Sequence, residues 1–437
     1  MRVTRPLTLL LLMGSLHSLA APVTPQDILN LIPASPAGQN LALSEQQAQQ
    51  TLNAAQAALD LKVTAGGNYS LNTTDFTSTQ QSGSINLGVS LPVLPWGSAF
   101  DSLKTTQRNY KAALLDAQDA RNSLTSKLIS GYYSILLAEL DLRLAKQNQR
   151  LAEVQLQVVQ QQKNQGTAAQ EALLQAQQKL GTTQVNTLKA QNALDAARAT
   201  LSNTLGRPIP EGEYTAAVLT GLPERTLEAW NALALSQRSD LQKAALKLEA
   251  AQDALNHALE DRWRPAGTLS TGLSSGAFGV DVSLNVQTGV LSSSASYAFQ
   301  DGGPGGYKFS LSASIPIVDA SQDATIQANQ LAVQVAQATV ESTKQSALLD
   351  VAQKYASVQV AALQVKNASG ALAVAAEHLK VTEARVKAGL STPLDLTSAQ
   401  IALAQAEKDR TAAEVSLLTA NLDLMNAAGQ TYRGGVL

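Results

Sequence analysis

Two long proline-free stretches, 98–164 and 321–387, dominate the sequence. Both are rich in alanine, glutamine, leucine and lysine, which favour helix. At about 1.5 Å per residue, each stretch would form a helix about 100 Å long. The second stretch carries a seven-residue apolar repeat, typical of a coiled-coil seam, at Val351, Val358, Val365, Leu372, Leu379 and Val386. No compact domain can cover rods of this length, so we expect the helices to pack on one another.

The two long stretches belong to an internal duplication. One constant offset along the chain aligns Gly166 with Gly389 and Gly206 with Gly429. Just upstream, "SLPV" at 90–93 matches "SIPI" at 314–317 with the offset lengthened by a single position. Each half therefore reads as strands, a long helix, a turn and a second helix.

The duplicated turns have the residues of helix ends. In "RVKAGLSTPLDLTSAQ", Gly389 suits a left-handed helix terminus, Thr392 an N-cap, Pro393 the first helical position and Asp395 the third. In "QKNQGTAAQEALLQAQ", Gly166 ends the helix and Thr167 with Gln170 is predicted to form the equivalent capping box. Both segments are predicted to be tight helix hairpins at the far end of a rod.

Alternating residues precede each rod. Apolar and small polar positions alternate near 63–93 and within 266–317, which is typical of transmembrane strands with lipid on one face and water on the other. A half-buried sandwich strand would show the same alternation. The second region is longer than the first. Either an extra hairpin enters the sheet there or it projects above the membrane.

The remaining composition excludes several classes of function. The net charge of -2 and the lack of a basic cluster argue against nucleic-acid binding. The chain has no cysteine, no histidine cluster and neither a G-x-S-x-G nor a phosphate-binding glycine motif. We therefore predict no enzyme activity, no cofactor and no metal site.

The domain organisation follows from the duplication. Residues 1–20 are predicted to be a secretory signal peptide, with Arg2 and Arg5 before an apolar run and small residues at the cleavage site. The first repeat is predicted at 21–206, with an N-terminal helix and helices 98–164 and 167–205. A linker is predicted at 207–239. The second repeat is predicted at 240–437, with an opening helix and helices 321–387 and 392–428.

In this order and spacing, the chain resembles the TolC family of outer-membrane efflux proteins, also called outer-membrane factors. The resemblance rests on the duplicated order of elements, on "SLPV" and "SIPI", on "RVKAGLSTPLDLTSAQ" and on "LSNTLGRP" at the end of the first repeat. It implies a mainly α fold with transmembrane β, in which a homotrimer forms one shared β-barrel continued by a periplasmic α-helical barrel. Such a protein is a passive exit duct of a tripartite efflux or type I secretion system. Its expected partners are outer-membrane lipid, a periplasmic adaptor (membrane fusion protein) and an inner-membrane efflux pump or ABC exporter.

The resemblance also implies that 207–239 is the equatorial region between the repeats, and it implies roles for the turns. They would form the periplasmic tip, where the adaptor docks and the pore is gated, with tip residues Gly166, Thr167, Gly389, Ser391, Thr392 and Pro393. Asp395 matches an acidic position at the tunnel entrance, and Glu171 is a candidate gating residue. Three copies of Asp395 would attract cations and raise one another's pKa. An ordinary capping role for Asp395 is equally compatible with the sequence.

Departures from the family pattern stand at three positions of the tip. Ser398 stands where a second acid is often found, while Ala172 and Ser391 replace expected charged partners. These replacements argue against a tip held closed by those polar links. The alternative interpretation of the whole chain is a secreted coiled-coil structural or spacer protein of the cell envelope, which explains the rods but not the two sets of strands. The exported substrate, and the choice between small molecules and polypeptides, cannot be read from the sequence.

Overall fold

The computed structural model describes residues 23–431 except 75–77, 211, 213, 216–224, 300–304, 316 and 318. The predicted signal peptide lies outside these residues. None of the described helices combines the length and the apolar composition needed to cross a membrane.

The described residues form eight α-helices and six strands, arranged as two similar halves. The helices of the first half are α1 (Pro25–Leu29), α2 (Pro36–Ala57), α3 (Ser98–Asn164) and α4 (Gln170–Leu205). Those of the second half are α5 (Leu227–Gln237), α6 (Ser239–Asp261), α7 (Ala320–Lys387) and α8 (Pro393–Ala427). The strands are β1 (Lys62–Thr74), β2 (Ser78–Pro92), β3 (Ala266–Ser275), β4 (Phe278–Asn285), β5 (Val290–Ala298) and β6 (Gly306–Ser314). The bounds of α3 are those predicted, and α7 begins one residue earlier than expected.

Each half sets one long helix beside two shorter ones that meet end to end. In the first half α2 and α4 both pack on α3. A Cβ on Gly206, which caps α4, would lie 2.4 Å from Pro36 Cγ, at the first residue of α2. In the second half α6 and α8 both pack on α7, and Gly429 after α8 makes the same close approach to the backbone of Gln237 and Arg238. The duplication in sequence is therefore also a duplication in packing.

The seam predicted along the second long helix is turned inward. Val351 is fully buried and Val358 partly buried against Trp230 of α5 and Leu424 of α8. Trp230 lies in the segment 207–239 between the repeats, where the structure contains the helix α5. Thr226 caps α5 through its hydroxyl, and burial of Trp230 against the rods stabilises the short helix.

A second cluster holds the middle of the rods together. Tyr132 of α3 is completely buried, and its hydroxyl lies 2.7 Å from the carbonyl oxygens of both Val23 and Thr215, either of which can accept its proton. The Thr215 backbone N–H donates to the same hydroxyl at 3.0 Å. Burial raises the pKa of the neighbouring Tyr214 to about 12, so both phenols stay protonated at neutral pH. The start of the described chain is thereby fixed to the centre of α3.

Ion pairs join the first half to the second. Asp253 of α6 is paired with Lys104 and Arg108 of α3. Burial opposes ionisation of Asp253, but hydrogen bonds from the two cations hold its pKa below the ordinary value. Within the second half, Arg238 makes a further link, since its Nη1 donates to Asp350 of α7 at 2.8 Å and to the Ala427 carbonyl of α8 at 3.0 Å.

The six strands form one antiparallel sheet in the order β1-β2-β5-β4-β3-β6. Each half supplies one hairpin-like pair, β1 with β2 and β3 with β6. The β4–β5 hairpin lies between the two pairs. Of the two possibilities left open by the sequence, the extra hairpin is thus part of the sheet.

We predict that Arg238→Met lowers the apparent unfolding temperature, because it leaves the Ala427 carbonyl and a carboxylate without their donor, at a cost of about 1–3 kcal/mol. Fluorescence of the buried Trp230 nearby reports the transition. Lys380→Met is the control, since Lys380 is highly exposed and, within the described chain, pairs only with Glu377 on its own helix, at 3.6 Å. Equal midpoints for the two variants would contradict the role assigned to Arg238.

Candidate functional site at the helix turns and the sheet face

The first turn, between α3 and α4, ends α3 with a Schellman motif. Gly166 has φ +74°, its N–H donates to the Lys163 carbonyl at 2.9 Å, and the Thr167 N–H donates to the Gln162 carbonyl at 2.9 Å. The Thr167 hydroxyl also donates to the Gln162 carbonyl, at 2.8 Å. Thr167 therefore completes α3 instead of opening α4.

This arrangement corrects the sequence analysis at the first turn. The predicted capping box of Thr167 with Gln170 is absent, α4 begins at Gln170 instead of 167, and its N-cap Ala169 makes no side-chain cap. The Gln170 side chain instead accepts a hydrogen bond from Lys163 across the turn. The prediction failed because the Thr167 backbone N–H, which a capping box would donate to the Gln170 side chain, donates to the Gln162 carbonyl of the preceding helix instead.

The second turn repeats the helix ending of the first and adds the predicted cap. Gly389 has φ +70°, and the Leu390 N–H donates to the Arg385 carbonyl at 2.8 Å. Thr392 and Asp395 form a reciprocal capping box at the start of α8, with Pro393 at its first position. The box was predicted from the sequence and is confirmed. Ser391 lies between the Schellman motif and the cap.

Asp395 is exposed and acts as a helix cap. Hydrogen bonds from the backbone N–H and the hydroxyl of Thr392, both 2.8 Å long, hold the pKa of the Asp395 carboxyl below its ordinary value of 3.8. The carboxylate is therefore ionised at neutral pH within one protomer. Its charge also lies favourably at the positive end of the α8 dipole.

The other candidate tip residues are accessible but separate. Glu171 is exposed in the first turn of α4 and accepts a hydrogen bond from Gln175 at 3.1 Å. Ser398 is exposed and donates to the Leu394 carbonyl. Among the described residues, no hydrogen bond or ion pair connects Glu171 or Asp395 to the opposite turn. The described chain likewise contains no group of three His, Cys, Asp or Glu residues that could hold a metal.

The sheet lies at the other end of the rods and has two contrasting faces. One face carries exposed apolar side chains from all six strands, including Tyr69, Leu71, Ile85, Leu87, Leu273, Phe278, Tyr297, Tyr307, Phe309 and Leu311. The other carries mainly serine, threonine, asparagine and glycine. Ten residues at about 3.3 Å each, tilted by about 40°, span about 25 Å, the height of a lipid-facing band. Trp263 is exposed just before β3, where an interfacial aromatic is expected.

The sequence analysis missed a second apolar stripe, which lies on the exposed surface of α7. Exposed apolar residues recur along α7 at wide spacings, namely at Val335, Leu349, Val360, Val374 and Val381. At about 100° per residue these positions share one face of the helix. The heptad repeat recognised in the sequence lies on a different side of α7. The second stripe was missed because its apolar residues are widely spaced among alanines.

Comparison with known proteins agrees with this geometry. The chain matches the family described as outer membrane efflux protein over residues 32–207 and 230–430. The outer membrane protein VceC of Vibrio cholerae is 16% identical, with a TM-score of 0.66 over 94% of this chain and 97% of its own. CusC, whose crystal structures are described in terms of conformational changes that accompany folding and transmembrane channel formation, is 19% identical. Its TM-score is 0.68 over 94% of this chain and 93% of its own. The CmeC outer membrane channel of Campylobacter jejuni is 15% identical, with a TM-score of 0.68 over 94% and 86%. No curated protein matches the sequence.

Two duplicated helical hairpins on an antiparallel sheet are the protomer fold of an outer-membrane channel, which confirms the predicted fold class. Since the family match spans both repeats and most of the chain, the protein belongs to the outer membrane efflux protein family. It is an outer-membrane channel protein with its helical tunnel portion in the periplasm, as the resemblance implied.

We predict that the start of α8 loosens in acid. The folded pKa of Asp395 is depressed, so its cap contributes fully above 3.8 and is lost as the pH falls through the folded value. Hydrogen exchange of the first turn of α8, measured between about pH 5 and pH 2.5, should show this loss. In Asp395→Asn the pH dependence should disappear.

Glu407→Gln is the matched control, because Glu407 is an exposed acid on the same helix beyond its first turns. It should retain the wild-type profile. A loss of protection that begins above pH 3.8 would instead show that neighbouring copies of Asp395 raise one another's pKa.

Proposed function

We propose that the protein is a homotrimeric passive exit duct of a tripartite efflux or type I secretion system. The observation that carries this proposal is that intrachain packing leaves apolar surface of α7 uncovered from Val335 to Val381. On the second stripe of α7, Val360 is 55% exposed and Val374 is 71% exposed, although each rod already packs against helices of its own chain. Leu174, Val185 and Leu188 form a similar exposed stripe on α4. Copies of the same chain supply matching apolar rods, and three of them enclose a tunnel.

The tip turns are the proposed contact with the rest of the export system. Each joins a long rod to a shorter helix, about 100 Å from the strands by the length of α3 or α7. We propose that the periplasmic adaptor docks on Gly166, Thr167, Gly389, Ser391, Thr392 and Pro393, and that Asp395 lines the entrance with Glu171 near it. An inner-membrane pump or ABC exporter would provide the energy for export through this passive duct.

We propose that the chain is divided into two repeats and a connecting segment. Repeats 21–206 and 240–437 each contribute rods and strands, and 207–239 connects them at the middle of the tunnel. The rival interpretation, a spacer of the envelope without a membrane part, leaves the exposed apolar face of the sheet without a role.

We predict that Val360→Glu breaks the assembly, because it places a charge in an apolar contact between copies. Electron microscopy of wild-type protein extracted in detergent should show threefold particles with a tunnel portion about 100 Å long. The variant should yield mostly single protomers.

Gln359→Glu adds the same charge about 100° away around the helix, at an exposed position outside the stripe, and should leave the particles threefold. Soluble rods from the wild type in the absence of detergent would support the spacer interpretation instead. Intact threefold particles from Val360→Glu would place the interface elsewhere on the rods.

We predict that Asp395→Ala lowers the cation selectivity of the trimer in planar bilayers. A ring of three carboxylates at a narrow entrance attracts cations, and its removal should move the reversal potential in a salt gradient toward zero. Glu407→Ala removes an exposed charge about 120° away on the same helix and should have little effect. Equal shifts for both variants would leave Asp395 as a helix cap only.

A further inference from the structure

The β4–β5 hairpin is an insertion into the tip of the second repeat's strand pair. In the first repeat Lys62 pairs with Ser90, and in the second Ala266 pairs with Ser314. These pairs stand at the base of equivalent hairpins, yet the second segment of chain is much the longer of the two. At the upper end Ser274 pairs with Gly306. A two-residue turn of Ser275 and Gly305 would therefore close β3 directly onto β6 if residues 276–304 were absent.

The inserted hairpin continues both faces of the sheet without a break. Its residues Val280 and Ala295 lie in one apolar row with Leu87 of β2 and Leu273 of β3. On the polar face, the Ser283 and Ser292 hydroxyls are hydrogen-bonded at 2.8 Å, as Ser270 and Ser310 are at 2.6 Å, each across neighbouring strands. An element that projected above the membrane would have no reason to keep this alternation in register with strands on both sides.

The base of the hairpin is anchored in the turn between β2 and α3. The Val93 N–H donates to the Gly289 carbonyl at 2.8 Å, and Trp96 Nε1 donates to the Val286 carbonyl at 3.1 Å. A Cβ on Gly97 would lie 2.4 Å from the Thr288 carbonyl oxygen, so the two turns are in direct contact. The hairpin is thereby held at the level where the rods begin.

The outer edges of the sheet are β1 and β6, and within the described chain neither has a partner on its outer side. All neighbours are antiparallel and the strand number is even, so β1 and β6 run in opposite directions. Cyclic copies can therefore join β1 of one to β6 of the next in antiparallel fashion. A barrel made this way has no remaining edge.

We propose that the β4–β5 hairpin is a wall element of the pore, and that three copies with six strands each close an 18-stranded barrel through β1–β6 contacts. The strand count rests on the trimer of the proposed function. With strands about 4.8 Å apart and tilted by about 40°, 18 strands give a barrel about 36 Å across and 12 strands one about 24 Å across. The insertion therefore widens the outer-membrane pore about 1.5-fold.

Cysteine pairs test the hairpin's place within one chain, and the chain has no cysteine of its own to interfere. Ser90 and Ser292 are cross-strand partners, so Ser90→Cys with Ser292→Cys should form a disulfide in outer membranes under mild oxidation. Ser90→Cys with Ser270→Cys is the matched control. Those strands are three spacings apart, about 14 Å, and should not cross-link. A missing Ser90–Ser292 bond, or the reverse pattern, would overturn the proposal.

Imaging tests the strand count. Cryo-electron microscopy of the wild type should resolve 18 strands, and a variant lacking 276–304 with Ser275→Asn, which creates an Asn-Gly turn, should show 12 strands and about two-thirds of the diameter. A threefold wild-type particle with 12 strands would contradict the proposed role of the β4–β5 hairpin without contradicting the proposed exit duct. Single wild-type protomers would contradict both the proposed trimer and the 18-stranded barrel. The Ser90–Ser292 disulfide forms within one chain, so it would still test the position of the hairpin.

Discussion

A helix about 100 Å long has far more lateral surface than its own chain can cover. The packing of the helices in this structure depends on that constraint. Each long helix receives two shorter helices end to end, which cover one side over most of its length. The abundance of alanine lets the backbones approach closely without large interlocking side chains. An exposed apolar stripe remains on each of α7 and α4, and we propose that the rods of neighbouring copies cover it. The same constraint therefore accounts for the fold of one chain and supports the proposed assembly with further copies.

The ends of the helices are determined locally, by residues that stop or start a helix within one turn. Gly166 and Gly389 end the long rods with the same left-handed geometry and the same pair of backbone hydrogen bonds. A Cβ at either glycine would meet no atom within 4 Å, so the requirement is one of backbone conformation and not of space. Because the tip turns depend on so few contacts, their exposed side chains are free to meet a partner.

The sequence predicts this local and periodic part of the fold well. The bounds of α3, the capping box at Thr392 and the buried seam through Val351 were all readable, since each depends on residues close in sequence. The failures concern competition and tertiary context. At Thr167 two acceptors, the Gln170 side chain and the Gln162 carbonyl, compete for one backbone N–H, and the carbonyl of the preceding helix accepts it. The helix α5 forms because Trp230 is buried against rods that are distant in sequence, and the place of β4–β5 depends on pairing with β2, which belongs to the other repeat.

The position of the inserted hairpin explains how a pore can be widened without redesign of the subunit contacts. An insertion at either outer edge would replace β1 or β6 and alter the surface that meets the next copy. Placed between the two repeat hairpins, it leaves both edges unchanged, and two added strands preserve the alternation of direction that closure requires. The hairpin meets the start of the rods at the turn that holds Val93, Trp96 and Gly97, which lies at its base. In the proposed assembly, barrel width and tunnel architecture are thus separable, so the outer-membrane opening can change while the tip keeps the geometry that the proposed partners would meet.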